Sequence, residues 1–482
     1  MLFNSIDFAV FLPIVFVLYW FVFSKSIKLQ NLLIVFASYV FYGWWDWRFL
    51  TLILFSTLVD FTVGIKLSKE NGKSKRRLLL LTSVLVNLGF LGLFKYYNFF
   101  LDNFTNAFTV LGYNFDGHSL SIILPVGISF YTFQTLSYTI DVYRKNLNPT
   151  KDIIAFTAFV SFFPQLVAGP IERATNLLPQ FYKERKFDYS KAVDGMRQIL
   201  WGLFKKVVIA DNCAVFVNFI FDNSSELSGS SLALGAILFS FQIYCDFSGY
   251  SDIAIGTSRL FGFNLKQNFA FPYFSRDIAE FWRRWHISLS TWFRDYLYIP
   301  LGGSRGGLLN KVRNTLIIFV VSGFWHGANW KFIIWGALNA IYFLPLLLTN
   351  NNRVNLEIVA KNRVLPSISE CLKMSATFSL VAFAWIFFRA ENFSHATSYI
   401  EAMFSISLFS IPEILTPKIT MVYTLLLIPI LLVTEWLQRG ELHGLSIERL
   451  RRPERWIIYT TVLIMIVTFG KFGESEFIYF QF

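Results

Sequence analysis

The chain has 482 residues, of which 55% are hydrophobic, 19% aromatic and only 15% charged, with a formal net charge of +12. An ordinary soluble domain carries about 25% charged residues, so this composition excludes a string of soluble domains and predicts one integral membrane domain over 1–482. The positive charge does not imply nucleic acid. The bases gather in short segments between apolar runs, as the positive-inside bias requires, rather than along a face that could track phosphates.

Apolar runs of about 17–25 residues, the length that crosses a bilayer as helix, recur from end to end. The first, 7–23, has neither a basic leader nor a small-residue cleavage site and reads as a membrane helix rather than a cleaved signal. Runs 31–45 and 49–65 follow. The next segment carries Lys66, Lys69, Lys73, Lys75, Arg76 and Arg77 against Glu70, which predicts a cytoplasmic loop. Counting back from it puts Lys25 and Lys28 inside and the N-terminus outside. Counting forward, 78–94 exits, 121–140 re-enters, and 153–170 dips in and returns at Gly169-Pro170. Run 195–220 exits to an acidic loop with Asp222 and Glu226, and 231–258 re-enters.

A long inner segment, 264–313, precedes the paired runs 314–330 and 331–349. Runs 373–389, 420–437 and 456–470 complete the chain, with an inner basic loop 438–455 and an acidic GESEF tail, 473–477, outside. The expectation is an all-α polytopic membrane protein of roughly eleven to twelve transmembrane helices. No internal repeat is visible, which argues against the inverted-repeat transporter folds. Cys213, Cys245 and Cys371 lack metal-ligand spacing and read as packing residues.

The inner segment has its own pattern. In RDIAEFWRRWHISLSTWFRDYLYIP, 276–300, Ile278, Phe281, Trp282, Trp285, Leu289, Trp292, Phe293 and Tyr296 share one helical face. Asp277, Glu280, Arg283, Arg284, Arg294 and Asp295 lie opposite. This predicts a continuous amphipathic helix of about 21 residues ending before Pro300, with Ile287 as the one apolar misfit. His286 falls at the edge of its apolar face, beside Trp282 and Phe293. LGGSRGG, which follows, is a glycine-rich turn without P-loop spacing.

SGFWHGANW, 322–330, is the strongest local signal. From Asn314 to Thr349 the only basic or acidic residues are His326 and Lys331. A continuous helix of that length would reach about 54 Å, too long for one crossing, so two helices should meet at this motif. His326 then lies past the midplane, where an ionisable group is a functional candidate by default. An imidazole held neutral can take a proton from a hydroxyl and let that oxygen attack an activated carbonyl. Trp325, Trp330 and Trp335 could wall off water, and indole N–H groups or Asn329 could donate to an oxyanion.

FQIYCDFSGYSDIAIG, 241–256, places Asp246 and Asp252 in an apolar run with an expected break at Ser248-Gly249. Their expected partners are Arg283, Arg284 or Arg294, either as a polar lock or along a donor path. Glu172 and Arg173 in FFPQLVAGPIER pose the same choice. The two histidines are too far apart in sequence, with no third ligand, for a metal site.

SFFPQLVAGPIERA, the stretch from YCDFSGYSDIAIG through WRRWHISLSTWFRDYLYIPLGG, and SGFWHGANWKFIIWGALNAIYF resemble the bacterial branch of the membrane-bound O-acyltransferase family. The opening MLFNSIDFAVFLPIVF and the ending ESEFIYFQF resemble it too. The resemblance is dense over about 121–345. It implies a catalytic core over 121–349 around a central tunnel, with 264–313 as its cytoplasmic-side amphipathic and re-entrant segment. His326 would be catalytic and His286 the second family histidine, on the inner side. Trp282, Arg283, Arg294, Trp325, Asn329, Trp330, Asp246 and Asp252 would support the path.

The resemblance also implies an acetyl group taken from a cytoplasmic thioester, acetyl-CoA or another, with no bound cofactor or metal. The acceptor would be an extracytoplasmic polysaccharide such as an alginate-like exopolysaccharide or peptidoglycan, reached directly or through a partner acetyltransferase or esterase-like protein. A multi-pass protein of the bacterial inner membrane, surrounded by lipid, is expected. D-alanyl transfer to teichoic acid is the alternative within the family, and a polysaccharide or lipid transporter the alternative outside it.

Overall fold

In hydrocarbon a backbone amide has no water to bond, so a spanning segment must close its own hydrogen bonds. The computed structural model meets this with helices alone: no strand occurs among the described residues. Those residues are 1–113, 118–167, 169–413, 418–472 and 477–481, the side chains of 480 and 481 excepted. The acidic residues of the GESEF tail, Glu474 and Glu476, lie outside them. Of the apolar runs expected to cross, 121–140 is helical only from Ile128, and the others are helical over most of their length. Among the described residues, six helical stretches are long and apolar enough to cross a membrane: Ile27–Lys69, Lys73–Val110, Gly229–Leu260, Trp330–Leu348, Ile368–Arg389 and Lys418–Leu437. The first is two helices, Ile27–Asp46 and Leu50–Lys69, joined by a short 3-10 turn that Asp46 caps. This is a multi-pass membrane protein.

The chain forms two compact units, one of Met1–Ala192 with Thr257–Leu265 and one of Val193–Gly256 with Lys266–Phe482. In the first, the helices Leu50–Lys69, Lys73–Leu91 and Ile128–Tyr143 surround a buried carboxylate. Asp60 accepts from Ser83 at 2.5 Å and from Asn87 at 2.9 Å, and Asn87 in turn accepts from Ser56 and Thr135. The buried polar atoms satisfy one another, which removes most of the cost of placing them there.

The second unit holds both candidate histidines. Gly229–Leu260 is one uninterrupted helix of 32 residues, so the expected break at Ser248-Gly249 is absent. Gly249 serves close approach instead. A side-chain carbon there would strike the carbonyl oxygen of Gly202, and one on Gly256 would strike that of Gly195. The helix Tyr189–Leu203 thus meets Gly229–Leu260 backbone to backbone, the small-residue contact that membrane helices favour.

The run 314–349 folds as expected into two helices, Gly307–His326 and Trp330–Leu348. They touch where a side-chain carbon on Gly336 would collide with the Phe319 carbonyl oxygen.

Segment 264–313 departs from expectation. It is not one amphipathic helix but two, Ile278–Arg284 and Ile287–Phe293, followed by a π-helical turn Arg294–Tyr298. Trp285 is extended and His286 is left-handed, at φ 42° and ψ 53°. The cause is a non-local pairing. The Ala270 N–H donates to the Arg284 carbonyl and the Ile287 N–H to the Asn268 carbonyl, each at 2.9 Å. The helical phase therefore restarts at Ile287, which explains why that residue does not fit a single stripe.

Gly336→Leu should separate the Gly307–His326 and Trp330–Leu348 helices and cost about 1–3 kcal/mol. The melting temperature of the solubilised protein should fall. Gly89→Ala, whose added carbon meets nothing within 4 Å, should not lower it.

Candidate active site

His326 is the last residue of its helix. Gly327 turns away in extended conformation, and the Asn329 side-chain oxygen accepts from the Lys331 N–H at 3.0 Å to cap the next helix. SGFWHGANW is thus a helix end, a turn and a helix start, with the imidazole at the junction. His326 is 4% exposed. Aromatic rings enclose it: Trp325 at 4.9 Å between centroids, Trp335 at 5.1 Å, Phe388 at 5.3 Å and Tyr479 at 5.6 Å. Trp330 is 53% exposed, so Phe388 and Tyr479, rather than Trp330, join Trp325 and Trp335 in the wall.

His286 is fully buried. Phe247 packs edge-on at 4.6 Å and Phe269 lies at 6.3 Å. The Asn268 side-chain oxygen faces His286 Nδ1 at 3.1 Å and also accepts from the Ser288 N–H and hydroxyl. Because a backbone N–H bonds that same atom, it is the amide oxygen, and Nδ1 must carry the proton. Burial pushes the His286 pKa down to about 3, so the ring is neutral near pH 7 and Nε2 is its basic nitrogen. His286 occupies a left-handed conformation uncommon for a residue with a side chain, and Asn268 restrains it through backbone and side chain together.

The two imidazoles share walls. Trp325 lies 6.2 Å from His286 and 4.9 Å from His326, so the centroids of the two histidines are separated by no more than the sum, about 11 Å. Tyr479 bridges them independently, at 6.4 Å and 5.6 Å. A cavity of about 250 Å³ lies alongside, lined by Trp282, Phe293, Arg294, Phe319, Ser322 and Arg353 among others. Trp282 contacts Trp335, which contacts His326, so two indole rings connect the cavity wall to that imidazole.

Residues 149–354 match the profile of MBOAT, the membrane-bound O-acyltransferase family. The chain is 40% identical over 423 residues to a Pseudomonas aeruginosa protein described as probable alginate O-acetylase AlgI, covering 87% of this chain and 78% of that one. It is 37% identical over 433 residues to the peptidoglycan O-acetyltransferase of Helicobacter pylori, covering 84% and 80%. A teichoic acid D-alanyltransferase of Streptococcus thermophilus is 31% identical over 242 residues, covering 46% and 56%. The chain belongs to the membrane-bound O-acyltransferase family. It is an O-acyltransferase, and both histidines lie within the matched residues.

The acids of this acyltransferase find partners other than those expected. Asp252 pairs with Lys205 at 2.5 Å, and Asp246 with Lys206 at 2.6 Å. Lys206 also bonds Asp211 at 2.8 Å, and Lys205 the Ser248 hydroxyl at 2.9 Å. The expected arginines are engaged elsewhere. Arg284 pairs with Glu280, Arg283 donates to the carbonyls of Asn352 and Asn355, and Arg294 pairs with Asp295. The lysines lie in a π-helical stretch, Phe204–Ala210, inside the apolar run 195–220. Two adjacent bases in such a run were the available signal. Asp246 has a second role, accepting from the Ile478 N–H at 2.7 Å, which holds the segment bearing Tyr479.

The candidates sort accordingly. The structure brings His286, His326 and Trp325 into one enclosure, with Trp282 one ring removed. Arg294 lines the cavity and is 60% exposed as a side chain. Arg283, Asp246, Asp252 and Asn329 hold loops, helices and a helix cap. Asn268, Phe388 and Tyr479 escaped the sequence reading. Glu172 accepts from Asn176 at 2.6 Å.

Lys206→Met would leave two buried carboxylates without their cation and should destabilise the protein by about 3–5 kcal/mol, read as a loss of melting temperature and membrane yield. Asn268→Asp places a carboxylate opposite Nδ1 and should raise the His286 pKa. The pH–rate profile should then gain an ionisation, between about pH 5 and 9, that the wild type lacks.

Proposed function

We propose that the protein moves an acetyl group from a cytoplasmic thioester, acetyl-CoA or another, to an extracytoplasmic polysaccharide. The observation that carries this reading is the single aromatic enclosure around His286 and His326 in a chain of O-acetyltransferase kinship. His326 is the base. It takes the proton of the acceptor hydroxyl, and the oxygen attacks the thioester carbonyl. The tetrahedral intermediate collapses, the carbon–sulfur bond breaks, and the thiolate takes the proton back from the imidazolium. The Trp325 indole N–H and the Asn329 side-chain amide supply donors for the oxyanion. The aromatic walls exclude water, which would otherwise hydrolyse the thioester.

His286 stays neutral and orients a reactant through Nε2. The donor enters by the cavity beside Trp282, where Arg294 and Arg353 suit the phosphates of a pantetheine-bearing thioester. The acceptor is an alginate-like polymer or peptidoglycan, reached directly or through an esterase-like partner protein. The protein resides in the bacterial inner membrane with both termini outside. The O-acetylating relatives align over 84–87% of the chain at 37–41% identity, whereas D-alanylating relatives align over 46–57% of it at 28–31%, which favours acetyl over D-alanyl.

His326→Ala should abolish ester-linked acetate on the surface polymer while the protein still reaches the membrane. His286→Ala should lower it by about a hundredfold or more. Unchanged acetate in the His326 variant would overturn the assignment of the base. Mass analysis of the released esters separates acetyl from alanyl.

A further inference from the structure

The first unit contains a polar cleft that the acyl-transfer chemistry does not use. It has a volume of about 490 Å³ and is lined on one side by residues between Thr175 and Lys191, and on the other by Trp20 and the turn Arg259–Asn264. Five cations face it (Lys183, Arg185, Lys186, Lys191 and Arg259) against two acids, Glu184 and Asp188. Lys191 and Asp188 form an exposed pair at 3.6 Å, which in water is nearly neutral in free energy. Positive-inside topology accounts for bases in a loop; it does not account for a preformed concave site.

The cleft is held open by fixed contacts. Gln180 donates to the Asn264 carbonyl at 3.0 Å and accepts from the Asn264 N–H at 2.9 Å. Trp20 donates its indole N–H to the Leu260 carbonyl at 2.9 Å. Arg185 is buried in the wall, bonded to Asn31 at 2.8 Å and stacked between Phe263 at 5.0 Å and Tyr19 at 5.6 Å. Its charge is therefore fixed rather than mobile. Lys183 and Lys186 are exposed and reach the same space from the rim. Trp20 belongs to the π-helical end of the first apolar helix, where an indole marks the boundary between acyl chains and headgroups.

We propose that this cleft binds the phosphate of an anionic phospholipid headgroup from the cytoplasmic leaflet. A phosphodiester satisfies the net positive charge, and the glycerol and acyl chains leave past Trp20 toward the bilayer. Anionic headgroups are recognised by basic pockets of this kind at the cytoplasmic ends of membrane helices. The site is independent of the acyl-transfer reading, since none of its residues belongs to the histidine enclosure.

The test uses the full-length protein, delipidated and returned to detergent with phosphatidylglycerol or phosphatidylcholine, with bound lipid counted by native mass spectrometry. Wild type should retain phosphatidylglycerol in preference to phosphatidylcholine. Lys183→Gln/Lys186→Gln, both surface substitutions, should weaken that retention by about tenfold or more. Arg259→Gln should do the same, and its melting temperature in phosphatidylcholine reports whether it is folded. Equal retention of the two lipids, or equal retention by wild type and the double variant, overturns the proposal. Displacement of phosphatidylglycerol by millimolar inorganic phosphate, with the same stabilisation from phosphate alone, overturns the lipid in favour of a free phosphate.

Discussion

Lys206, buried between Asp211 and Asp246, is the contact on which the second unit depends. An unpaired ammonium or carboxylate in a membrane protein interior is costly, and removing one partner strands the other. The two lysines of one helix and the aspartates of its neighbour therefore fix how these helices meet, and glycines at 202, 249 and 256 let the backbones come close enough for the pairs to form. Asp246 extends the constraint. Its second oxygen takes the Ile478 N–H, so the same cluster holds Tyr479 against both imidazoles.

A second constraint acts on the segment 264–313. Asn268 pairs with the backbone at Ile287 and with the His286 ring, holding a left-handed residue between two short helices. That geometry carries a conformational cost, and the surrounding bonds over-determine it, as expected where strain serves a site. The result is an imidazole with a fixed tautomer that shares its walls with a second imidazole at a helix end. In a water-poor enclosure each hydrogen bond to a developing charge counts for more than it would in water.

Much of this was legible in the sequence. Run lengths located the helices, and the count from Asn314 to Thr349 placed His326 at a junction. Periodicity failed at Trp285–His286 because neither glycine nor proline marks the break; its cause lies 18 residues away in Asn268 and cannot be read from local pattern. The same limit hid the partners of Asp246 and Asp252. Arginines on the amphipathic segment were the expected partners, but Glu280, Asp295 and loop carbonyls engage them, while Lys205 and Lys206 were concealed in an apolar run. Tyr479 belongs to the ending ESEFIYFQF, whose resemblance to the family was visible although its place beside the histidines was not.

In the proposed reaction the histidine enclosure passes an acyl group from one face of the membrane to the other. Inverted membrane vesicles from producing cells, given labelled acetyl thioester outside, test it most directly. Wild-type vesicles should accumulate label as polymer esters protected inside the lumen, and His326→Ala vesicles should accumulate none. Equal accumulation in the two, or label that remains open to an esterase added outside, would contradict the account.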